Sequence, residues 1–197
     1  MGIESKRIEP HWNYLLALDA DLVNVSRFVE FHKTNFDCFS IGIARLLLTA
    51  SAEVDVVCKR LCKAIDPAST AENIHEYRDA IRPVYPRIPK FKVAMPRFGL
   101  ILRPWDEWRK KTGVPVWWTA HNKVKHQRDA HYEKACLQNA LNSVAWLSVL
   151  VLYLYKEKAR LGELVPSPQL LRADGSNFAG AVIGGQDGGI AYVLDDR

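Results

Sequence analysis

The residues best suited to chemistry lie within eleven positions near the middle of the chain. The stretch from His121 to His131 carries three imidazoles, two lysines, an arginine and an asparagine. Imidazoles transfer protons near neutral pH, and guanidinium or ammonium groups beside them bind phosphate. The side chains singled out in this way are His121, Asn122, Lys123, Lys125, His126, Arg128 and His131. Their types predict acid–base chemistry next to an anion.

His126 is the main candidate for proton transfer. If the stretch is helical, a rotation of 100° per residue places Asn122, Asp129 and Glu133 on the same face as His126. A carboxylate one turn after His126 would orient its imidazole. The other predicted face carries His121, Arg128 and His131 beside apolar residues, and is expected to meet a neighbouring helix or a second subunit.

Two further interpretations of the cluster compete with acid–base chemistry. The histidines recur every five residues, which turns successive imidazoles by about 140° and lacks the pairing of a metal-binding HExxH helix. We therefore expect no metal and no cofactor. The other interpretation is a solvated helix start that positions the apolar segment after it. The residues alone leave this interpretation open beside the catalytic one.

The stretch from Trp117 to Tyr155 predicts one long helix that organises the fold. From Val144 to Tyr155 every residue except Ser148 is apolar, so this part has no solvent face and must form the core. Such a run is shorter than the ~20 residues that cross a membrane. Together with an N-terminus that lacks a signal-peptide pattern, this predicts a soluble cytoplasmic protein without membrane contact.

The remaining sequence predicts three shorter helices and an irregular connection. The first runs from Trp12 to about His32, with Asp19 pointing away from the apolar stripe. The second starts after an N-cap at Ser40 and ends near Ile65. The third ends at Arg82, before Pro83. Six prolines between 83 and 115 predict an irregular or briefly extended crossing segment, with a helical turn over 105–111.

The fold prediction is therefore an all-α bundle of four to five helices. Residues 1–162 form the bundle, and a helix cap at Gly162 is expected to end it. Residues 163–197 are a Gly/Pro-rich tail packed on the bundle, with at most a small hairpin around Ile190, Tyr192 and Leu194. Residues 82–125 hold eleven Lys and Arg against two Asp and Glu, a net charge of +9. A block of this sign fits a polyanion as well as plain solubility.

Several smaller signals favour structural interpretations. The four cysteines, Cys38, Cys58, Cys62 and Cys136, have no zinc-like spacing and are expected to be buried free thiols. Glu53 is expected at the edge of an apolar stripe, or else paired with the cationic cluster. The indoles of Trp105, Trp108, Trp117 and Trp118 are expected to pack rather than to stack on bases. GGQDGG, residues 184–189, is interpreted as a turn.

The polar stretch resembles the signature of the HEPN superfamily, whose members include metal-independent ribonucleases of defence, toxin–antitoxin and RNA-processing systems. HNKVKH, residues 121–126, follows the HEPN form from Asn122 to His126, and His121 stands where the family has arginine. KHQR, residues 125–128, is similar to a signature of HEPN-like bacterial proteins. The resemblance covers about residues 12–158 in architecture.

The resemblance implies a HEPN-like bundle that acts on nucleic acid. His126 would transfer protons at the ribose 2′-hydroxyl and phosphate, with Asn122 as its polar partner and Arg128 in place of the motif arginine. His121, Lys123, Lys125 and His131 would contact the nucleic acid. Family members commonly pair through the motif helices, so a homodimer is expected. The alternative is a non-catalytic helical module that binds RNA, a nucleotide or a protein partner.

Overall fold

The protein folds mainly into α-helices, as the sequence predicts. The computed structural model describes residues 9–174, 176 and 190–192. Six α-helices lie within this part of the chain: α1 Pro10–Val25, α2 Ile41–Ile65, α3 Ile74–Val84, α4 Val116–His131, α5 Leu137–Leu154 and α6 Lys156–Leu161. The prediction of a predominantly helical fold is confirmed.

The centre of the fold is the contact between α2 and α5. The side chains from Val144 to Leu150 are buried, including Ser148, whose hydroxyl donates to the carbonyl of Ala145 at 2.7 Å. The predicted core segment is confirmed. Among the described helices, α5 is long and apolar enough to cross a membrane, but 83% of it is buried among other elements, as in the core helix of a soluble protein.

The prediction of one continuous helix from Trp117 to Tyr155 is wrong. A 3-10 turn and a short extended link separate α4 from α5. The amide of Leu137 donates to the carbonyl of Cys38 at 2.8 Å, and that of Gln138 donates to the carbonyl of Phe36 at 3.0 Å. Because these amides bond to the segment before α2, they cannot bond to carbonyls of a preceding helical turn. Tertiary pairing therefore ends α4 and starts α5 anew.

A second interruption lies inside α4. Gln127 has φ −143° and ψ 45°, far from helical values, so regular helix runs only to His126. The predicted face that continues from His126 through Asp129 to Glu133 is therefore wrong. In the described structure no hydrogen bond joins the side chains of Asp129 and His126.

Asp19 is buried, whereas the sequence predicts that it points away from the apolar stripe. Its carboxylate accepts hydrogen bonds from the amides of Gln169, Leu170 and Leu171. Burial raises the pKa of the Asp19 carboxyl, and the three amides oppose this shift. Asp19 thus fastens the segment after α6 to α1, where a solvated residue was expected.

The helix boundaries follow local capping chemistry. Ser40 caps α2 as predicted, since its Oγ accepts from the amide of Ile43 at 3.2 Å. The Oδ1 of Asn73 accepts from the amides of His75 at 3.1 Å and Glu76 at 3.2 Å and starts α3. The predicted cap at Gly162 is confirmed by its left-handed conformation, with φ 71°. The first helix ends at Val25, earlier than predicted.

The predicted crossing segment is irregular, with short extended pieces. Strands β1 Val93–Met95 and β2 Leu100–Leu102 form an antiparallel hairpin, and β3 Arg172–Ala173 pairs with the other edge of β1. The helical turn expected over 105–111 is a 3-10 helix, Asp106–Arg109. Of the expected C-terminal hairpin, Leu194 lies outside the described residues, as does GGQDGG.

A tryptophan cluster joins this segment to the helices. Trp146 of α5 lies at its centre: Trp105 stacks on it with ring centroids 3.7 Å apart, and Trp108 and Trp117 meet it edge-on at 5.1 and 5.0 Å. All four side chains are buried, as is Trp118. The packing interpretation of these indoles is confirmed. The cluster holds the start of α4 in place on the core.

Candidate functional site

The first part of α4 has a buried face and an exposed face. Trp117, His121 and Val124 recur at helical spacing and are buried, which anchors the helix. The opposite positions carry Asn122, Lys123 and His126, and all three are exposed. One turn of spacing separates Asn122 from His126, so the amide and the imidazole lie on the same stripe.

The exposed face of α4 lines a groove whose other wall is the start of α3. We call it the α3–α4 groove; its volume is about 400 Å³. Its lining residues are Ile74, His75, Val114, Trp118, Thr119, Asn122, Lys123, His126 and Gln127. The groove therefore gathers two imidazoles, one ammonium group and two amides. This combination suits proton transfer next to a bound anion.

His75 is the groove residue that sequence reasoning missed. It lies in the first turn of α3, and its Nδ1 is 3.5 Å from Nη1 of Arg78. A guanidinium only donates, so this weak contact favours Nδ1 as the acceptor and Nε2 as the protonated nitrogen. The only sequence signal was a lone histidine two positions after a capping asparagine.

Arg78 holds the two walls of the α3–α4 groove together. Its buried guanidinium bonds to the carboxylate of Asp79 at 2.9 Å and donates to the carbonyl of Gly113 at 3.4 Å. Gly113 itself tolerates no side chain, because a Cβ there would lie 1.7 Å from the carbonyl oxygen of Glu107. Arg78 thereby ties α3 to the segment that leads into α4, which positions His75 relative to His126.

His121 lies on the buried face and does not line the groove. It is 7% exposed, and none of the described polar groups is within hydrogen-bonding distance of its Nδ1. Burial, with a smaller contribution from Lys125 and His126, lowers the pKa of His121 to about 4. The side chain at the position of the motif arginine is therefore a neutral imidazole at pH 7.

The remaining predicted residues are spread over other surfaces. Lys125 and Arg128 are exposed but do not line the α3–α4 groove, and Arg128 lies beyond the kink at Gln127. His131 is partly buried at the end of α4. Of the seven residues in the predicted cluster, the groove brings together Asn122, Lys123 and His126.

Glu53 pairs with a residue of α1 and not with the cationic cluster. Its Oε1 is 2.6 Å from Nδ1 of His11, and both side chains are largely buried between α1 and α2. The prediction that Glu53 lies at the edge of the apolar stripe missed this partner. The two residues are separated by 42 positions, so only the packing of α1 on α2 reveals the pair.

Within the described residues, neither the cysteines nor a group of possible metal ligands forms a second candidate site. Cys58, Cys62 and Cys136 are buried free thiols, as predicted, whereas Cys38 is exposed. Burial raises the pKa of Cys62 to about 11 and that of Cys58 well above its usual value, so neither is a thiolate at neutral pH. In the described part of the chain, no group of three His, Cys, Asp or Glu side chains is placed to hold a metal ion.

Comparison of the chain with family models, with curated proteins and with solved structures finds no match.

Proposed function

We propose that the protein is a HEPN-like, nucleic-acid-directed protein whose α3–α4 groove binds an RNA phosphodiester and cleaves it without a metal ion. His126 and His75 share proton transfer between the 2′-hydroxyl and the leaving oxygen. Lys123 holds the phosphate, and Asn122 donates a hydrogen bond to it. One histidine accepts the proton of the attacking hydroxyl and the other protonates the 5′-oxygen as the phosphodiester bond breaks.

The observation that carries this proposal is the exposure of His126 in a groove that it shares with Lys123 and a second histidine. A general base has to reach its substrate, and His126 meets that requirement whereas the buried His121 does not. Attack by the 2′-hydroxyl needs no metal if two proton-transfer groups and one cation surround the phosphate.

A second candidate function is a helical module that binds RNA, a nucleotide or a protein partner without cleaving it. It is favoured by the state of His121, which is neutral and buried where the HEPN motif has a cationic arginine. Arg128 does not take that place in the groove. In this function Lys123 and Asn122 recognise the ligand, and His126 adds a hydrogen bond.

The deciding experiment is cleavage of a mixed RNA pool with and without EDTA. The native protein is compared with His126→Gln, and His32→Gln is the matched control, since His32 is an exposed histidine outside the groove. We expect EDTA-resistant cleavage that falls about 100-fold or more in His126→Gln and persists in His32→Gln. An equal loss of RNA cleavage in both variants contradicts the proposed mechanism. Loss of cleavage by the native protein when EDTA is added also contradicts it.

Binding without cleavage would select the second function. In that case salt-sensitive RNA binding is expected, weaker in Lys123→Gln and unchanged in His32→Gln. The homodimer implied by the HEPN resemblance is a separate proposal. Light scattering over a range of protein concentrations tests it, and a monomer at every concentration contradicts it.

A further inference from the structure

A second concave site lies beyond the other end of α3 and is lined mainly by cations. We call it the basic pocket; its volume is about 420 Å³. The cations that line it are Arg87, Lys90, Lys92, Arg103 and Arg109. The α3–α4 groove includes the first two residues of α3, whereas Arg87 follows its last turn. An eleven-residue helix is roughly 16 Å long, so the two sites are distinct.

The backbone brings four of these five cations together in two pairs. Val93 pairs with Leu102 at the end of the hairpin. Lys92 immediately precedes β1 and Arg103 immediately follows β2, so these two residues lie side by side. Arg109 ends one 3-10 helix and Lys90 ends another, and Nε of Arg109 donates to the carbonyl of Pro89 at 3.4 Å. Like charges directly opposite each other on an antiparallel pair repel, so an anion bound near Lys92 and Arg103 is stabilised.

Two carboxylates of the described residues lie beside the pocket. Asp106 pairs with Nε of Arg109 at 2.9 Å. The carboxylate of Asp174 accepts hydrogen bonds from the hydroxyl of Ser176 and, at 2.9 Å, from its amide. The hydroxyl, then the amide and, more weakly, Lys92 and Arg103 hold the pKa of Asp174 below its usual value. Lys92 and Arg103 therefore contribute to stabilising an anion at this edge of the sheet.

We propose that the basic pocket binds a chain of two or three consecutive phosphate groups. Guanidinium groups bind phosphate oxygens in a bidentate manner, and lysines add point charges that accept any orientation. Five cations around one concavity match several negative charges in a row better than a single one. The volume lies in the range of small-ligand sites. This site is independent of His126 and of RNA cleavage.

The test is calorimetric titration of the full chain with tripolyphosphate and with orthophosphate. We expect one tripolyphosphate per chain and at least about tenfold weaker binding of orthophosphate. Arg103→Gln or Lys90→Gln should weaken tripolyphosphate binding about tenfold, the loss typical of one charge-assisted contact. The matched control is Arg45→Gln, an exposed arginine of α2 outside the pocket, and it should change binding less than about twofold.

Unchanged binding in Arg103→Gln and Lys90→Gln contradicts the proposal, as does an equal loss in Arg45→Gln, which would indicate diffuse attraction to a basic protein. Thermal melting of each variant shows that the substituted chains are folded. His126→Gln should keep tripolyphosphate binding in full. The absence of RNA cleavage would therefore not affect the conclusion on tripolyphosphate binding. The absence of tripolyphosphate binding would likewise not affect the conclusion on RNA cleavage.

Competition identifies the source of the phosphate chain. Displacement of tripolyphosphate by ATP assigns the pocket to a nucleotide, and displacement only by RNA with a 5′-triphosphate assigns it to an RNA end. The same RNA with a 5′-hydroxyl is the control. If that control competes equally well, the pocket binds separate phosphodiesters and the proposal is wrong. It is also wrong if neither ATP nor triphosphorylated RNA competes.

Discussion

The two faces of α4 place similar side chains in opposite environments. His121 and His126 are five residues apart in one helix; the first is buried against the tryptophan cluster and the second lines the α3–α4 groove. Burial leaves His121 neutral, with a pKa of about 4, and makes its ring part of the packing. The residue type therefore sets which chemistry is available, while burial decides which histidine can perform it.

The largest expected effect concerns the buried face. Trp117→Ala removes a ring that is 3% exposed and packs edge-on against Trp146, so the free energy of unfolding should fall by about 3–5 kcal/mol. Denaturant unfolding measures this loss. Thr119→Ala on the exposed face should stay within about 0.5 kcal/mol of the native value. A similar loss in both variants would show that the two faces do not differ in their contribution to stability.

The next effect concerns the second wall of the groove. His75→Gln should lower kcat/KM for RNA cleavage about 100-fold, because one of the two proton-transfer groups is lost. The melting temperature should not change, since His75 is exposed. Glu72→Gln, just outside the groove, is the control. If His75→Gln cleaves at the native rate, α3 contributes no catalytic group and the site reduces to the exposed face of α4.

The burial of His121 should make the stability of the protein depend on pH. The unfolded chain protonates His121 below about pH 6.5, whereas the folded chain does so only near its pKa of about 4. The unfolded state therefore binds more protons between these values, and the free energy of unfolding falls as the pH is lowered through them. Between pH 7 and pH 5, the free energy of unfolding of His121→Leu should therefore fall by about 1–2 kcal/mol less than that of the native protein.

Chemical unfolding of both proteins at several pH values measures this difference. His32→Gln, at an exposed histidine outside α4, is measured alongside as a control substitution. A native pH dependence in His121→Leu would mean that the imidazole of His121 is solvated in the folded protein, and the contrast between the two faces would disappear.

The smallest expected effect concerns one phosphate contact. Lys123→Gln should weaken RNA binding about tenfold at low salt and lower the slope of log K against log salt concentration by about 1. Binding isotherms at several salt concentrations measure both quantities. Lys125→Gln is the matched comparison, because Lys125 is exposed on the same helix but does not line the groove. An equal change in slope would mean that RNA lies across α4 outside the groove.

Local signals predicted a large part of this structure. The apolar segment from Val144 onward was recognisable as core because it has no polar face, and the N-cap at Ser40 and the C-cap at Gly162 depend on their own side chain or backbone. The spacing of Asn122 and His126 placed these two residues on one face of the helix in advance, whereas Lys123 was not assigned to that face. The role of these residues as a site stays a prediction.

Contacts between distant segments could not be predicted in this way. The break before Leu137 depends on carbonyls of residues 36 and 38, and the burial of Asp19 depends on amides of residues 169–171. His75 joins the groove only because Arg78 holds α3 against the loop at Gly113. A periodicity analysis contains no information about such partners.

The amino-acid sequence alone shows that the protein is helical, which apolar segment forms its core, and which residue types concentrate near the start of the last long helical region. Short-range capping and the 3.6-residue period are properties of neighbouring residues, so they can be read locally. The packing of distant elements is what buries His121 within its own chain, brings His126 and His75 into one groove, and makes the cations of the crossing segment line one pocket. These outcomes depend on which distant surfaces exclude water together, and no local stretch of the chain specifies that.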